Sequence, residues 1–112
     1  MSYDVRVTEV CLHDIESATD YIDLVLLNHD AALKLEGDVE DAVNQLSDAP
    51  KSYALVPDPM LASWGIRFTL VGNYIVFFIV NDTEQVVYVI RFLHTKQNWN
   101  RILREEPNFD EE

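Results

Sequence analysis

The chain has 112 residues, of which 48% are hydrophobic and 25% are charged, and its formal net charge at pH 7 is −12. This length allows one hydrophobic core and leaves no room for a second domain. No run of eighteen apolar residues is present and the N-terminus lacks a signal-peptide pattern, so we expect a cytoplasmic protein that does not enter a membrane. Cys11 is the single cysteine, which excludes an internal disulfide and fits a reducing compartment.

The first half of the chain predicts one strand and two helices. Residues 3–8 alternate between apolar and polar side chains, which is typical of an outer strand. Apolar residues then recur at helical spacing over residues 12–26 and again over residues 32–46. Either Asn28 or Asp30 is suited to cap the second helix, and Pro50 follows its end. These two segments therefore predict a helical hairpin.

Residues 65–103 predict a three-stranded antiparallel meander. The strands cover residues 66–71, 74–81 and 86–93, which are rich in β-branched and aromatic side chains. Gly72 and Asn73 suit a two-residue hairpin turn, and residues 82–85 form a polar turn. The middle strand is apolar on both sides, so we expect it to be central and covered on both faces.

The register counted from these two turns places Arg67 opposite Phe78 and Arg91 opposite Val76. Both arginines then share one face of the sheet, with Cα atoms roughly 12 Å apart, so their side chains could converge on one phosphate. The other face carries no charge, and we expect the helical hairpin to cover it as the core.

The predicted fold class is α+β: an N-terminal strand, a helical hairpin, the three-stranded antiparallel meander and a short C-terminal helix over residues 98–104. One domain is expected over residues 1–104. Residues 105–112 contain five acidic side chains, and we expect them to form a disordered tail.

Short motifs along nearly the whole chain identify a family. They are Y-D-V-R-V from Tyr3, L-H-D-I from Leu12, A-A-L-K-L from Ala31, L-S-D-A-P from Leu46, G-I-R from Gly65, G-N-Y-I-V-F-F from Gly72, V-I-R-F-L-H from Val89 and N-W-N-R-I-L from Asn98. In this order and spacing, the chain resembles the RelE/ParE-family toxins of bacterial type II toxin–antitoxin systems.

The resemblance implies a toxin that binds a cognate antitoxin, which would be a short, partly disordered protein. It further implies an mRNA endoribonuclease that inhibits translation on the ribosome and needs neither a metal nor another cofactor. Two alternatives stay open. One is a non-catalytic inhibitor of DNA gyrase, as in the ParE branch. The other is an inactive toxin relic that is retained for antitoxin binding.

The resemblance also supplies candidate catalytic residues. Arg67 and Arg91 match strand arginines of the family and would stabilise the charge of the phosphate. His94 would move the proton, because the ordinary pKa of histidine, about 6.5, suits both an acid and a base. A structural interpretation stands beside each of these roles. The arginines could be paired with carboxylates, and His94 could be a hydrogen-bonded residue at a strand end.

Lys51, Tyr74 and Lys96 are the candidate RNA-binding residues, since single-stranded RNA is held by stacking and by backbone contacts. The charge of the chain opposes this role. Residues 1–50 carry two basic and twelve acidic side chains, whereas residues 51–104 carry six basic and three acidic ones. The carboxylates of the first helix, including Asp14, Asp20 and Asp23, are interpreted as a solvated face.

Overall fold

The computed structural model describes residues 2–105. Its elements, in chain order, are β1 (Asp4–Val7), α1 (Glu9–Asp20), α2 (His29–Gln45), α3 (Pro59–Ser63), β2 (Arg67–Val71), β3 (Tyr74–Asn81), β4 (Val86–His94) and α4 (Trp99–Arg104). A π-helical turn, Tyr21–Val25, follows α1, and a 3-10 turn, Pro50–Ser52, precedes α3. Apart from its first residue, the acidic tail predicted at 105–112 lies outside the described residues.

The four strands form one sheet in the order β1-β4-β3-β2. β2, β3 and β4 are an antiparallel meander, and β1 pairs with β4 in parallel. The parallel pair is possible because the helical hairpin and the meander separate β1 from β4 in sequence and return the chain to the same end of the sheet. The predicted α+β fold is confirmed.

The register of β4 differs from the prediction at its centre. Val76 pairs with Phe92, and Arg91 pairs with Phe77, because the ladder shifts by one residue between Phe77 and Phe78. Such a β-bulge places an extra residue in one strand and turns the neighbouring side chains. The predicted pairing of Val76 with Arg91 is therefore wrong. The register counted from the turns put Phe92, the neighbour of Arg91, on the uncharged face, but Phe92 lies in the core on the other side of the sheet.

Both faces of the sheet are covered, as predicted for its central strand. On one face, residues of α1 and α2 share a buried cluster with the sheet that includes Cys11, Leu35, Val39, Val76, Phe78 and Val89. On the other face, α3 and α4 contribute to a cluster that includes Leu61, Ile66, Phe77, Ile90 and Leu103. The prediction that the helical hairpin covers the uncharged face is wrong, because that face packs against α3 and α4 instead.

Side-chain caps fix where the two helices of the hairpin begin. The Thr8 hydroxyl accepts a hydrogen bond of 3.2 Å from the backbone N–H of Cys11, and this caps α1. The Asn28 side chain accepts one of 3.1 Å from the backbone N–H of Ala31, which confirms Asn28 as the cap of α2. Each cap satisfies an N–H group that has no partner within its helix.

The sequence interpretation did not include α3, although its start carries a cap signal. The Asp58 carboxylate accepts hydrogen bonds from the backbone N–H groups of Met60 and Leu61, at 3.0 and 3.2 Å, and Pro59 occupies the first turn. Arg104 donates to Asp58 at 2.6 Å, so this carboxylate also joins α4 to α3. Burial opposes its ionisation, but the Leu61 N–H and Arg104 outweigh burial and lower the pKa of Asp58.

Two glycines offer a matched test of the backbone. Gly37 lies inside α2, Gly72 has a φ of +58°, and neither position has an atom within 4 Å of an added Cβ. Gly37→Ala should stabilise the fold by about 0.5–1 kcal/mol through helix propensity. Gly72→Ala should destabilise it by about 1 kcal/mol, because the left-handed region disfavours a Cβ. Urea unfolding measures both, and equal effects of the two substitutions would contradict this account of the turn.

Candidate functional site

A cleft of about 500 Å³ opens between α1, the π-helical turn and the ends of β3 and β4. Its lining combines apolar, aromatic and charged side chains, which include Asp14, Tyr21, Tyr74, Arg91, His94 and Lys96. Four of the six predicted site residues are thereby brought together. Two others, Arg67 and Lys51, do not line it.

Arg91 is bound to Asp14 of α1 on one wall of the cleft. Its Nε donates to Asp14 Oδ2 at 2.7 Å and its Nη2 donates to Asp14 Oδ1 at 3.0 Å, so the contact is bidentate. The side chains of Arg91 and Asp14 are only 14% and 12% exposed. The backbone N–H of Phe92 donates to Asp14 Oδ2 as well, at 3.1 Å. Arg91 is thus held by a carboxylate, the structural interpretation that the sequence left open.

Asp14 is a residue that sequence reasoning misplaced. It was interpreted as part of a solvated face, but the structure buries it against β4. Helical spacing was the signal that could have found it. Asp14 lies three residues after Cys11, which is fully buried, and four before Ala18, which packs against the same core.

His94 has a defined hydrogen-bond arrangement at the end of β4. The backbone N–H of Lys96 donates to His94 Nδ1 at 3.1 Å, while the backbone N–H of His94 donates to the Gln97 side chain at 2.8 Å. A backbone N–H is always a donor, so Nδ1 must present its lone pair and the neutral ring carries its proton on Nε2. In this form His94 can donate a hydrogen bond, but its one lone pair is already used.

Tyr74 forms the aromatic floor beside this histidine. Its ring stacks on Phe92 with centroids 4.8 Å apart and meets the His94 ring edge to face at 5.0 Å. Burial, and to a smaller degree the neighbouring Tyr21, raises the pKa of Tyr74. The hydroxyl therefore stays protonated at neutral pH.

Arg67 lies away from the cleft. It pairs with Phe78 on β3, as predicted, whereas His94 pairs with Tyr74, four residues earlier in the same strand. Four residues of a strand span roughly 13 Å. The Arg67 side chain donates from Nη1 to the backbone carbonyl of Tyr53 at 2.6 Å, which ties β2 to the segment that precedes α3.

Lys51 lies farther from the cleft still. Its Nζ is 2.8 Å from Asp82 Oδ2, in the turn that follows β3. Asp82 also accepts a hydrogen bond of 2.8 Å from the Tyr3 hydroxyl. The hydrogen bond and the charge of the pair raise the pKa of Lys51 and lower the pKa of Asp82. Eight residues separate Asp82 from Tyr74, or roughly 26 Å of extended strand.

Cys11 lies beneath the ion pair and is fully buried. Burial, with a smaller contribution from the Asp14 charge, raises the pKa of its thiol to about 12. A thiol of this kind is not a nucleophile at neutral pH. Over residues 2–105, moreover, no three His, Cys, Asp or Glu side chains are grouped so that they could hold a metal ion. The same residues include no helix with the length and apolar character needed to span a membrane.

The family model described as the ParE toxin of the type II toxin–antitoxin system parDE matches residues 5–99. A search of curated protein sequences finds no match.

Solved structures with similar folds carry related descriptions. One is the chromosomal ParDE toxin–antitoxin system of P. aeruginosa, with a TM-score of 0.65 and 18% identity over 83% of this chain and 96% of that one. Another is the RelBE2 toxin–antitoxin complex of Mycobacterium tuberculosis, with a TM-score of 0.58 and 22% identity over 84% and 99%. A third is a free E. coli RelE toxin with two arginine-to-alanine substitutions. Its TM-score is 0.59, and it is 14% identical over 94% of this chain and 98% of that one.

The Cys11 thiol should report on the integrity of the α1–β4 contact. With a pKa of about 12, only about one thiol in ten thousand is ionised at pH 8, and burial blocks reagents as well. A chromogenic disulfide reagent should therefore react at the rate of unfolding and become fast only in denaturant. Rapid stoichiometric labelling of the folded protein would contradict this packing.

The tautomer of His94 is a second measurable property of the cleft. In ¹⁵N spectra of the neutral ring, His94 should show the form with its proton on Nε2, because Lys96 N–H occupies Nδ1. His13 is an exposed internal control and should show the mixture of tautomers that is usual in water. A proton on Nδ1 of His94 would contradict the arrangement.

Proposed function

The chain belongs to the ParE toxin family of type II toxin–antitoxin systems, and we propose that it is a toxin that an antitoxin neutralises and that inhibits DNA gyrase by binding, without cutting mRNA. The observation that carries the non-catalytic half of this proposal is the bidentate ion pair between Arg91 and Asp14. An arginine that stabilises a phosphate must present its N–H groups to that phosphate. Here two of them point at a carboxylate that is nearly buried.

The other cations support the same conclusion. Six of the eight lysines and arginines lie within 4 Å of a carboxylate; they are Arg6, Lys34, Lys51, Arg91, Arg101 and Arg104. Over the described residues, Arg67 and Lys96 are the two without such a partner, and they lie apart: Arg67 is in β2, whereas Lys96 is in the turn after β4 and lines the cleft. Cleavage of RNA by its own 2′-hydroxyl needs several cations around one phosphate.

The net charge of −12 opposes RNA binding over longer distances. Nucleic-acid binding gains much of its affinity when basic side chains displace counterions from phosphates. A strongly acidic protein instead repels RNA and slows its approach. Gyrase inhibition through protein–protein contact does not need a surface that neutralises phosphate.

Antitoxin binding is supported by the similar structures. Those of P. aeruginosa and M. tuberculosis are described as toxin–antitoxin systems or complexes. By this analogy, the partner of the chain is a short antitoxin whose disordered segment folds as it binds. The gyrase inhibitor, the mRNA endoribonuclease and the inactive relic would all bind this partner.

An mRNA endoribonuclease is the second candidate, because one observation favours it. The cleft places Tyr74, His94 and Lys96 side by side, so it offers a base-stacking ring, a proton donor and a cation. In this candidate a protonated His94 would give a proton to the leaving 5′-oxygen while the 2′-hydroxyl loses its proton to water. A protonated ring cannot accept the Lys96 N–H at Nδ1, so that hydrogen bond would have to break, and Arg67 and Arg91 would have to move to reach the phosphate. The gyrase proposal requires no such movement.

Two assays of the purified chain separate these candidates. In a cell-free translation reaction, we expect intact messages, judged by mapping of mRNA ends, and a normal protein yield. In a reaction with purified gyrase and relaxed plasmid, we expect loss of supercoiling and accumulation of cleaved DNA that detergent reveals.

Histidine variants control the translation assay. Messages that are cut by the wild-type chain and by His13→Ala, but not by His94→Ala, would show a ribonuclease and overturn the gyrase proposal. His13 is a matched control because it is exposed on α1, outside the cleft. A chain that changes neither translation nor supercoiling would contradict both activities and leave the toxin relic.

A further inference from the structure

The tip of the helical hairpin exposes a continuous set of apolar side chains. We define the hairpin tip as residues 21–28, which contain the π-helical turn and the cap of α2. Four successive residues there are mostly exposed: Leu24 (68%), Val25 (62%), Leu26 (55%) and Leu27 (83%). Single exposed leucines are ordinary, but four in sequence form a patch of the kind that marks an interaction surface.

The backbone of the hairpin tip is also unusual. The N–H of Leu26 donates to the carbonyl of Tyr21 at 3.0 Å, which widens the helix by one residue. Leu27 then has a φ of +55°, in the region that favours glycine or asparagine. Leu27 is also exposed, so burial of its side chain does little to offset the cost of this backbone conformation. Widened helical turns and left-handed backbone of this kind are frequent at functional sites.

A groove continues from the hairpin tip onto the body of the protein. It has a volume of about 540 Å³ and lies between the hairpin and the turn that joins β2 to β3. Its apolar walls include Tyr21, Ile22, Leu26, Leu35 and Val71. Three residues, Tyr21, Ile22 and Leu26, belong both to the groove and to the hairpin tip, so the groove and the tip form one surface.

Carboxylates surround this apolar surface. Residues 9–45 carry ten acidic side chains and a single basic one, Lys34, which is paired with Asp38. Asp20 and Asp30 flank the hairpin tip, and over residues 2–105 neither forms an ion pair. Asp23, inside the tip, lies 3.1 Å from His29 Nδ1. The surface therefore offers an apolar centre within an acidic rim.

We propose that the hairpin tip and its groove bind a basic amphipathic helix of a protein partner, with leucine-like side chains on the tip and lysines or arginines against Asp20, Asp23 and Asp30. That the partner is the antitoxin rests on the proposed function. The surface itself rests on the exposed leucines and the acidic rim. A helix suits the groove because side chains at positions i, i+3, i+4 and i+7 form one apolar stripe between two polar flanks.

The acidic rim discriminates among other occupants. A second copy of the chain would bring the same carboxylates against this rim, and like charges repel. Nucleic acid and anionic membrane surfaces are disfavoured for the same reason. A basic protein segment is the occupant that complements both the charge and the apolar centre.

The test uses two fluorescent synthetic peptides of eighteen residues with one leucine stripe, flanked by lysines in one and by glutamates in the other. We expect the lysine peptide to bind the full chain and the glutamate peptide not to bind. Leu24→Ser combined with Leu27→Ser should weaken lysine-peptide binding at least tenfold. Asp20→Asn combined with Asp30→Asn should weaken it several-fold and reduce its salt dependence. Fluorescence anisotropy measures both.

Met60→Ser combined with Leu70→Ser is the matched control, because both residues are exposed and apolar but lie outside the hairpin. This variant should bind the lysine peptide as the wild type does. The proposal would be overturned if the Leu24/Leu27 pair and the Met60/Leu70 control pair weakened binding equally, or if the two peptides bound equally well. Thermal unfolding of every variant confirms that it is folded.

The gyrase assay keeps this inference separate from the proposed function. A chain without activity on gyrase that still binds the lysine peptide through Leu24 and Leu27 would overturn the proposed activity and support the docking surface. A chain that inhibits gyrase but binds the peptide equally well with and without these leucines would overturn only the docking surface.

Discussion

The ion pair between Asp14 and Arg91 joins the helical hairpin to the sheet. It connects α1 to β4, the strand that pairs with both β1 and β3. Asp14 also accepts a hydrogen bond from the backbone N–H of Phe92, the residue that follows Arg91. A charge in such a place must be paired, because an isolated buried charge costs several kcal/mol. The position of α1 on the sheet and one wall of the cleft therefore depend on the same contact.

This contact has a functional consequence, because it occupies an arginine that the family resemblance had assigned to phosphate. Lys51, which the resemblance had assigned to RNA, is likewise paired with Asp82, although this pair is exposed and therefore weaker. Arg104 is paired with the buried Asp58. The chain thus uses most of its few cations within its own fold. Its excess of carboxylates is left on the helical hairpin, where it forms the rim of an apolar surface. A protein built in this way is better suited to bind a basic protein segment than a nucleic acid.

Local patterns in the sequence predicted the strands, the helical hairpin and the cap of α2, because period, turn chemistry and capping are encoded by neighbouring residues. Asn28, one of the two predicted candidates, caps α2. The C-terminal helix predicted over residues 98–104 is α4, which begins one residue later, at Trp99. The short α3 was not predicted, since five residues are too few to show a helical period. The face covered by the hairpin was also wrong, because the sequence pattern showed that both faces of β3 are apolar but not which helices cover each.

The candidate site was predicted less well, for a reason that Arg91 illustrates. Its register was counted from a turn, but the bulge shifts the ladder, and only the packed structure shows that Asp14 lies opposite. Arg67 kept its predicted pairing and still lies far from His94, because sharing a face does not bring residues to the same end of a strand. The residues that did come together are Tyr74, His94 and Lys96. Tyr74 begins β3 directly opposite His94 at the end of β4, and Lys96 follows His94 in the next turn.

The most direct test of the account is the coupling free energy between Asp14 and Arg91, obtained by urea unfolding of Asp14→Ala, Arg91→Ala and the double variant. A bidentate pair that is nearly buried should give a coupling of about 2–4 kcal/mol, so that the double variant is much less destabilised than the sum of the single ones. A coupling below about 0.5 kcal/mol would contradict the account. Arg91 would then contribute little to the fold through Asp14, and phosphate binding would again be the better interpretation of this arginine.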